Sequence, residues 1–152
     1  MKAMILAAGL GTRLLPLTKK RPKPLFPVLG RPLIDILIRQ LEDAGCTAVI
    51  VNTHHLAPMI DMFLESQDYG IPVLTRFEAT ILGTGGGIKN VEDFWDDAPF
   101  MVINGDIVSN IVLRSGSPHN YIRMVEHIVA LKAGLWLDTV IIRMDFGDAR
   151  LF

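Results

Sequence analysis

Residues 3–13 read AMILAAGLGTR, an apolar run closed by glycines and followed by a threonine and an arginine. A continuous apolar run of this kind predicts a strand that is buried on both faces of a sheet. Gly9 and Gly11 are expected to take positive φ, so that successive backbone N–H groups can converge on an anion. The stretch therefore predicts a buried strand followed by an anion-binding loop.

The charge around this loop has one sign. The first 34 residues contain seven Lys or Arg and no Asp or Glu. The cations nearest the loop are Arg13, Lys19, Lys20, Arg21 and Lys23. Glycines alone are equally compatible with a tight turn that binds nothing, but the acid-free surroundings favour an anionic ligand. A nucleotide or another polyphosphate is the expected ligand.

The rest of the chain alternates between strand and helix patterns. Residues 48–51 form a second apolar run, and between the two runs apolar residues recur at helical spacing from Leu33 to Leu41, after Pro32 and before Gly45. Further along, the pattern predicts a helix over 58–66, a strand over 71–74, a helix over 86–94 and a strand over 100–104. This alternation predicts a doubly wound, mostly parallel α/β sheet.

Composition narrows the class of protein. The chain has 152 residues, of which 50% are hydrophobic and 20% charged, and this suits one globular domain. A net charge of -1 argues against a nucleic-acid partner. Cys46 is the only cysteine, so an intramolecular disulfide is excluded and a buried structural role is expected. No run resembles a signal peptide or a membrane span, so we expect a soluble, cytoplasmic protein without a membrane partner.

Two further segments contain groups that suit an anionic ligand. Pro22 and Pro24 enclose Lys23, and their stiff backbone would hold the ammonium group in place, although a solvated turn lysine is the alternative. Residues 82–87 read LGTGGG, a second glycine loop that is expected to precede a helix and to approach an anion or a base. A flexible connector is the alternative for that segment.

Polar residues follow two of the predicted strands. Asp106 comes after the strand over 100–104, where one carboxylate suits Mg²⁺ bound together with substrate phosphates. Capping of a turn is the alternative role for Asp106. Asn52, His54 and His55 follow the strand over 48–51 and are expected to lie at a loop edge, with contact to substrate as the alternative. No His or Cys cluster has the spacing of a zinc site.

Two common nucleotide-binding motifs do not fit. A nicotinamide-binding loop needs a third glycine at the helix start and an acid about twenty residues further on, and the chain has neither at those places. A Walker-type loop needs Gly-Lys-Ser or Gly-Lys-Thr, which is absent from the sequence. An NAD-dependent oxidoreductase is therefore a weak alternative.

Four motifs in order resemble one family. Residues 6–14 (LAAGLGTRL), 22–25 (PKPL), 82–87 (LGTGGG) and 104–106 (NGD) are similar to the sugar-phosphate nucleotidyltransferases, also called nucleotide-sugar pyrophosphorylases. The triple glycine after Thr84 looks most like the mannose-1-phosphate guanylyltransferase and muramate-phosphate uridylyltransferase branches. The resemblance covers roughly residues 1–110 and implies a Rossmann-like nucleotidyltransferase fold. It implies transfer of a nucleotidyl group from an NTP to a sugar 1-phosphate, with release of pyrophosphate.

The resemblance also implies roles for individual residues. Gly9, Gly11 and Thr12 would cradle the triphosphate. Arg13 would steady the leaving pyrophosphate, and Lys23 would hold the α-phosphate or the sugar phosphate. Asp106 would ligate Mg²⁺. The residues expected to approach the base and ribose are Ala8, Gly83 and Thr84.

The C-terminal part departs from the family pattern. We expect a nucleotide-binding core over 1–110 and a divergent or truncated part of the same domain over 111–152. Residues 121–131 have helical periodicity and residues 139–144 are strand-like, but neither Asp138 nor Asp145 lies in a recognisable motif. The apolar residues at the end of the chain indicate C-terminal truncation, and exposed apolar surface would favour a homo-oligomer. The alternative function is a catalytically silent nucleotide-binding or oligomerisation module derived from the family.

Overall fold

The computed structural model describes residues 1–98, 100–107 and 142–144. In this part of the chain, α-helices and strands alternate, and short 3₁₀ helices lie in the connecting segments. The strands are β1 (Lys2–Leu6), β2 (Pro27–Val28), β3 (Arg31–Pro32), β4 (Ala48–Thr53), β5 (Val73–Phe77), β6 (Phe100–Asn104) and β7 (Ile142–Met144). The α-helices are α1 (Leu33–Asp43), α2 (Ala57–Glu65) and α3 (Gly83–Lys89). The 3₁₀ helices span Thr12–Leu14, Leu17–Lys19, Lys23–Leu25 and Glu92–Phe94.

The described strands form one main sheet and a small hairpin. The main sheet has the order β5-β4-β1-β6-β7, and β2 pairs with β3 in the hairpin. Strands β5, β4, β1 and β6 are parallel, whereas β7 runs antiparallel to β6. The chain winds outward from β1 to β5 and then returns to place β6 on the other side of β1. The doubly wound, mostly parallel fold is confirmed, and its switch point lies between β1 and β6.

Both faces of the sheet are covered. On one face, Ile5 and Val49 pack in a cluster that includes the apolar side chains of α1 and α2. On the other face, Met4 and Ile50 pack with Ile88 of α3 and with aromatic side chains near β6. Successive residues of β1 therefore enter opposite core layers, which is why the strand is apolar throughout instead of alternating. In the described part of the chain, no helix is long and apolar enough to span a bilayer.

Most predicted elements are confirmed, with shifted ends. The helix predicted from Leu33 is α1, which ends before Gly45, a residue with φ 81°. The strand predicted over 71–74 lies further along, as β5. Strand β5 is paired on one side only among the described strands, and its residues are at best half-buried. The apolar run over 71–74 therefore does not coincide with the ends of this strand. The predicted helix over 121–131, residues 139–141 of the predicted strand, Asp138 and Asp145 lie outside the described residues.

The helix predicted over 86–94 is wrong in its limits. Helix α3 begins at Gly83 and ends at Lys89, so residues 83–87 form the helix and not a loop before it. A Cβ atom at Gly87 would lie 2.9 Å from the Asn52 Nδ2 atom, and one at Gly86 would lie 2.8 Å from the Leu82 Cβ atom. These glycines therefore allow a helix to pack closely, and sequence patterns that treat glycine as a helix breaker place the start too late.

A buried carboxylate joins α1 to its neighbours. Asp35 is 4% exposed, and its carboxylate accepts hydrogen bonds from the Arg31 and Arg39 guanidinium groups and, at 3.2 Å, from the Tyr69 hydroxyl. Arg31 lies in β3, so this cluster holds the hairpin and the segment before β5 against the start of α1. Burial, reinforced by the Asp35 carboxylate, raises the pKa of Tyr69 above its usual value.

The raised pKa of Tyr69 predicts a pH-dependent contribution to stability. Above about pH 10 the phenol ionises in the unfolded chain but not in the folded one, so the stabilisation present below that pH is lost as pH rises. Tyr69→Phe removes the hydroxyl, and we expect a variant about 1 kcal/mol less stable than wild type near pH 8. The two proteins should converge at about pH 11. Urea unfolding at both pH values measures this, and an unchanged gap would contradict it.

Candidate functional site

The carboxyl ends of β1 and β6 form the centre of the candidate site. The two strands are direct neighbours, with Leu6 opposite Asn104. The loop after β1 contains Ala8 and Gly9, and the turn after β6 contains Gly105 and Asp106. Since ligands of doubly wound sheets bind at the switch point beyond the carboxyl ends, these two segments line the expected crevice.

The turn after β6 depends on close backbone approach. The Gly105 N–H donates to the Leu6 carbonyl at 2.8 Å. A Cβ atom at Gly105 would lie 2.8 Å from the same carbonyl oxygen and 3.1 Å from the Ile5 Cγ2 atom. A side chain at position 105 would therefore force β1 and the turn before Asp106 apart.

Gly105→Ala tests this packing. We expect the substitution to destabilise the fold by about 1–3 kcal/mol, because backbone must move to admit one methyl group. Gly9→Ala is the matched control, since nothing lies within 4 Å of a Cβ atom at Gly9 and its φ is not positive. That control should change stability by less than about 0.5 kcal/mol. Chemical denaturation of both variants gives the comparison, and equal stabilities would show that the turn can relax freely.

The glycine loop after β1 is only partly as expected. Gly11 has φ 64°, which confirms the positive φ expected there, but Gly9 is not in that region, so the expectation for Gly9 is wrong. The Thr18 hydroxyl donates to the Gly11 carbonyl at 3.1 Å, and a Cβ atom at Gly11 would lie 2.7 Å from the Thr18 Cγ2 atom. Gly11 is thus the residue at which the chain turns back against Thr18, whereas Gly9 is exposed and open on its Cβ side.

Lys23 and Asp106 meet although 83 residues separate them in the chain. The Lys23 Nζ atom lies 2.5 Å from the Asp106 Oδ2 atom, and both side chains are partly exposed. The prolines on either side of Lys23 are buried, which anchors the 3₁₀ helix Lys23–Leu25 that carries this lysine. A cation and a carboxylate with access to solvent thus lie together at the switch point.

The donor set around Asp106 fits a metal that binds mainly through substrate. Among the described residues there is no group of three or more His, Cys, Asp or Glu that could hold a metal ion. Zinc-like or calcium-like protein cages are therefore not formed by this part of the chain. Mg²⁺ requires less from the protein, since it usually takes one or two carboxylates together with substrate phosphates and waters. The exposed carboxylate of Asp106 meets that requirement.

The other candidate residues lie on two segments. Thr12 and Arg13 are exposed in the 3₁₀ helix Thr12–Leu14, and Ala8 is buried just before it. Gly83 and Thr84 are exposed at the start of α3, where Gly83 has φ 69°. Helix α3 packs against β1 through Gly87, which faces the Met4 side chain. Helix α3 therefore belongs to the layer that packs on β1, the strand that leads into the first loop.

Two buried residues lie beside the site, of which sequence reasoning placed Asn52 only at a loop edge and missed Glu78. Asn52 and Glu78, 3% and 2% exposed, are joined by a hydrogen bond of 2.7 Å from the Asn52 Nδ2 atom to the Glu78 Oε1 atom. Asn52 lies within β4, after its apolar part, so the loop-edge expectation is wrong for this residue. A polar residue at the end of a buried strand is nevertheless a recognisable signal. Glu78 has no such signal, because it directly follows β5, and the apolar pattern predicts the end of that strand at the wrong residue.

The two adjacent histidines anchor neighbouring backbone. The His54 Nδ1 atom lies 2.7 Å from the Glu78 carbonyl oxygen, and the His55 Nε2 atom lies 2.7 Å from the Thr18 carbonyl oxygen. Since carbonyl oxygens only accept, both ring nitrogens must donate. The predicted position at a loop edge agrees with these contacts, which fix loops rather than face the Lys23–Asp106 pair.

Cys46 has no connection with this chemistry. It is 3% exposed, and burial raises the pKa of its thiol. A buried thiol with a raised pKa is a poor nucleophile, so the expected structural role is the one its surroundings support.

The fold and the site together point to one class of protein. A doubly wound α/β domain with a glycine loop and a lysine–carboxylate pair at its switch point has an arrangement of groups that suits phosphate chemistry. The chain belongs to the nucleotidyl transferase family, whose model matches residues 2–145. The resemblance carried by the four motifs is thereby confirmed.

Curated relatives and solved structures agree with this assignment. The chain is 39% identical over 139 residues to the N-acetylmuramate alpha-1-phosphate uridylyltransferase of Neisseria meningitidis serogroup B, covering 90% of this chain and 58% of the relative. It is 36% identical over 118 residues to the mannose-1-phosphate guanyltransferase of Pichia angusta, covering 75% of this chain and 32% of the relative. The structure of HddC from Yersinia pseudotuberculosis complexed with GMP-PN matches with a TM-score of 0.62 and 30% identity, covering 83% of this chain and 53% of HddC. The chain thus spans between about a third and three fifths of the length of these relatives.

Proposed function

We propose that this chain transfers a nucleotidyl group from an NTP to a sugar 1-phosphate, giving a nucleotide-sugar and pyrophosphate. The observation that carries the proposal is the meeting of Lys23 and Asp106 at 2.5 Å beside the glycine loop. Phosphoryl transfer needs fixed positive charge and a metal-binding oxygen close to the same phosphates. The membership of the nucleotidyl transferase family supports the reaction class, and the named relatives support sugar 1-phosphates as acceptors.

The triphosphate is proposed to lie along the loop after β1. Backbone N–H groups of Gly9, Gly11 and Thr12 would surround the phosphate oxygens, and Arg13 would contact the β- and γ-phosphates. Ala8 would pack near the nucleoside, because it lies between β1 and the loop. Gly83 and Thr84 would approach the base and ribose from the start of α3.

Binding would exchange the partners of the Lys23–Asp106 pair. The Lys23 ammonium would turn from the carboxylate to the α-phosphate or the sugar phosphate, and the freed Asp106 carboxylate would hold Mg²⁺. The metal ion, when bound, neutralises phosphate charge that would otherwise repel the incoming phosphate. Because cation and carboxylate are already adjacent, only short side-chain movements are needed, and the charges arrive preorganised.

The proposed reaction is one displacement at the α-phosphorus. A phosphate oxygen of the sugar 1-phosphate forms a bond to that phosphorus, and the bond from the α-phosphorus to the oxygen bridging the β-phosphorus breaks. Pyrophosphate leaves with the electron pair of that bond. Lys23 would reduce the repulsion between the two phosphates as they approach, and Arg13 would stabilise the charge that develops on the leaving pyrophosphate.

The first experiment is pyrophosphate release by the purified chain, with the four common NTPs crossed against a panel of sugar 1-phosphates. Release for one pair that needs Mg²⁺ and stops with EDTA would establish the reaction and identify both substrates. Thermal stabilisation by an NTP without any release would instead support the silent nucleotide-binding module. Neither release nor stabilisation in folded protein would contradict the proposal.

Three features of the wider protein stay predictions. A cytoplasmic location, a homo-oligomeric state and a boundary near residue 110 are each consistent with the proposed reaction. Light scattering at increasing protein concentration tests the oligomer, and a monomer throughout would contradict it.

A further inference from the structure

Asn52 and Glu78 connect the two glycine segments through one chain of hydrogen bonds. The Ala7 N–H donates to the Asn52 Oδ1 atom at 2.7 Å, directly before the first loop. The Asn52 Nδ2 atom donates to the Glu78 Oε1 atom at 2.7 Å. The Leu82 N–H donates to the Glu78 Oε2 atom at 3.0 Å, directly before the second segment. The backbone directly before each glycine segment is therefore attached to the same buried pair.

The pair is itself held firmly in place. The Glu78 N–H donates to the Thr53 carbonyl at 2.8 Å, and His54 donates to the Glu78 carbonyl at 2.7 Å. On the other side, a Cβ atom at Gly87 would lie 2.9 Å from the Asn52 Nδ2 atom and 3.0 Å from the Glu78 Oε1 atom. Helix α3 thus packs directly on the pair, and any change in the pair's shape moves the helix that starts at Gly83.

The chemistry of the pair is specific. Glu78 is 2% exposed, and the groups that donate to its carboxylate, the Asn52 amide and the Leu82 N–H, are neutral. Burying a carboxylate with neutral donors costs free energy, and well-packed apolar residues would serve stability alone equally well. The Glu78 carboxylate accepts at both oxygens, and the Asn52 amide accepts from the Ala7 N–H through its oxygen while it donates to Glu78 through its nitrogen. The free-energy cost of burying Glu78 is explained if the pair is needed to fix the geometry of the two glycine segments.

We propose that Asn52 and Glu78 are positioning residues that set the spacing between the triphosphate-binding loop and the segment that approaches the base and ribose. The inference rests on the proposed function for its ligand. Neither side chain touches substrate. The pair holds the two segments at one separation, so that one NTP contacts both without further ordering of the backbone.

A charge exchange between the two positions tests the proposal. In Glu78→Gln, an NH₂ group must face either the Asn52 amide or the Leu82 N–H, so two donors meet. In Asn52→Asp, two carboxyl groups meet in a buried site. The double variant Asn52→Asp/Glu78→Gln restores every bond. In it, the carboxylate now at position 52 accepts from the Ala7 N–H and from the amide NH₂ now at position 78, and the amide oxygen at position 78 accepts from the Leu82 N–H. Glu65→Gln, at an exposed position of α2, is the matched control.

Two readouts separate positioning from general stability. In Glu78→Gln, at temperatures where it is folded, we expect the NTP Kd from calorimetry and the KM for NTP to rise about tenfold, with kcat changed less. Hydrogen exchange should become faster in both residues 7–11 and residues 82–87. The double variant should recover NTP affinity to within about threefold of wild type. Its hydrogen exchange in both segments should also be as slow as in wild type.

The outcomes are distinct. Wild-type NTP affinity in Glu78→Gln, or a double variant that recovers its Tm but not its NTP affinity, would overturn the positioning role. If the wild-type chain binds no NTP, the proposed function fails, and hydrogen exchange alone decides the inference. Unchanged exchange in either segment of Glu78→Gln would then overturn it, and faster exchange in both would support it.

Discussion

Arg13→Ala is expected to reduce pyrophosphate release at least about 100-fold while leaving the fold intact. Arg13 is exposed in the 3₁₀ helix Thr12–Leu14, so its truncation removes no core packing. The guanidinium would stabilise charge on the leaving pyrophosphate, a contact that strengthens as the bond to the α-phosphorus breaks. The loss should therefore appear mainly in kcat, measured by a coupled pyrophosphate assay at saturating NTP.

Arg13→Lys is the matched control for that result. It keeps the positive charge but loses the planar fork that binds two phosphate oxygens at once, so we expect intermediate activity. Equal Tm values for wild type and both variants would show that the fold is retained. Turnover like that of wild type in Arg13→Ala would remove Arg13 from the mechanism.

Lys23→Met is expected to have an effect of similar size. Methionine keeps an unbranched side chain but removes the ammonium group, which we place on the α-phosphate or the sugar phosphate. We expect kcat/KM to fall at least about 100-fold. Stability should change by less than about 1 kcal/mol, since the Lys23–Asp106 ion pair is partly exposed. Steady-state kinetics and urea unfolding on the same preparation give both quantities.

Lys89→Met provides the comparison. Lys89 is exposed at the end of α3, so its substitution also removes one positive charge, but at a distance from the switch point along the helix. We expect activity within about twofold of wild type, because a distant, solvent-exposed charge is screened by salt. Equal losses in the two variants would mean that net charge, and not the position of Lys23, controls the reaction.

Local patterns predicted much of the fold. The apolar run over 3–8 predicts β1, and the helical spacing from Leu33 predicts α1. A strand buried on both faces, or a helix buried along one stripe, needs apolar residues at those positions, so its burial is visible in the sequence pattern. Where an element is less buried, its apolar sequence pattern is less clear. Strand β5 is partly exposed and α3 is rich in glycine, and these are the elements whose ends were misplaced.

The residues of the candidate site also differ in how clearly the sequence indicates them. Gly11, Lys23 and Asp106 each have a local signal: a glycine beside cations, a lysine between prolines, and an acid after a buried strand. Glu78 has none, and its role emerges only from the atoms that surround it. A buried polar residue after a partly exposed strand is not distinguished, in sequence, from a loop residue exposed to solvent.

The sequence by itself determined the class of sheet and the family, and it predicts an anion-binding first loop, because each depends on residues that are close together in the chain. The tertiary structure alone decided which distant residues meet. Strand order places β6 beside β1 and thereby brings Asp106 to Lys23, and it places β4 between β1 and β5 and thereby joins Asn52 to Ala7 and Glu78. The physical reason is that many strand orders bury the same apolar runs equally well, whereas only one order brings these particular polar groups within hydrogen-bond distance.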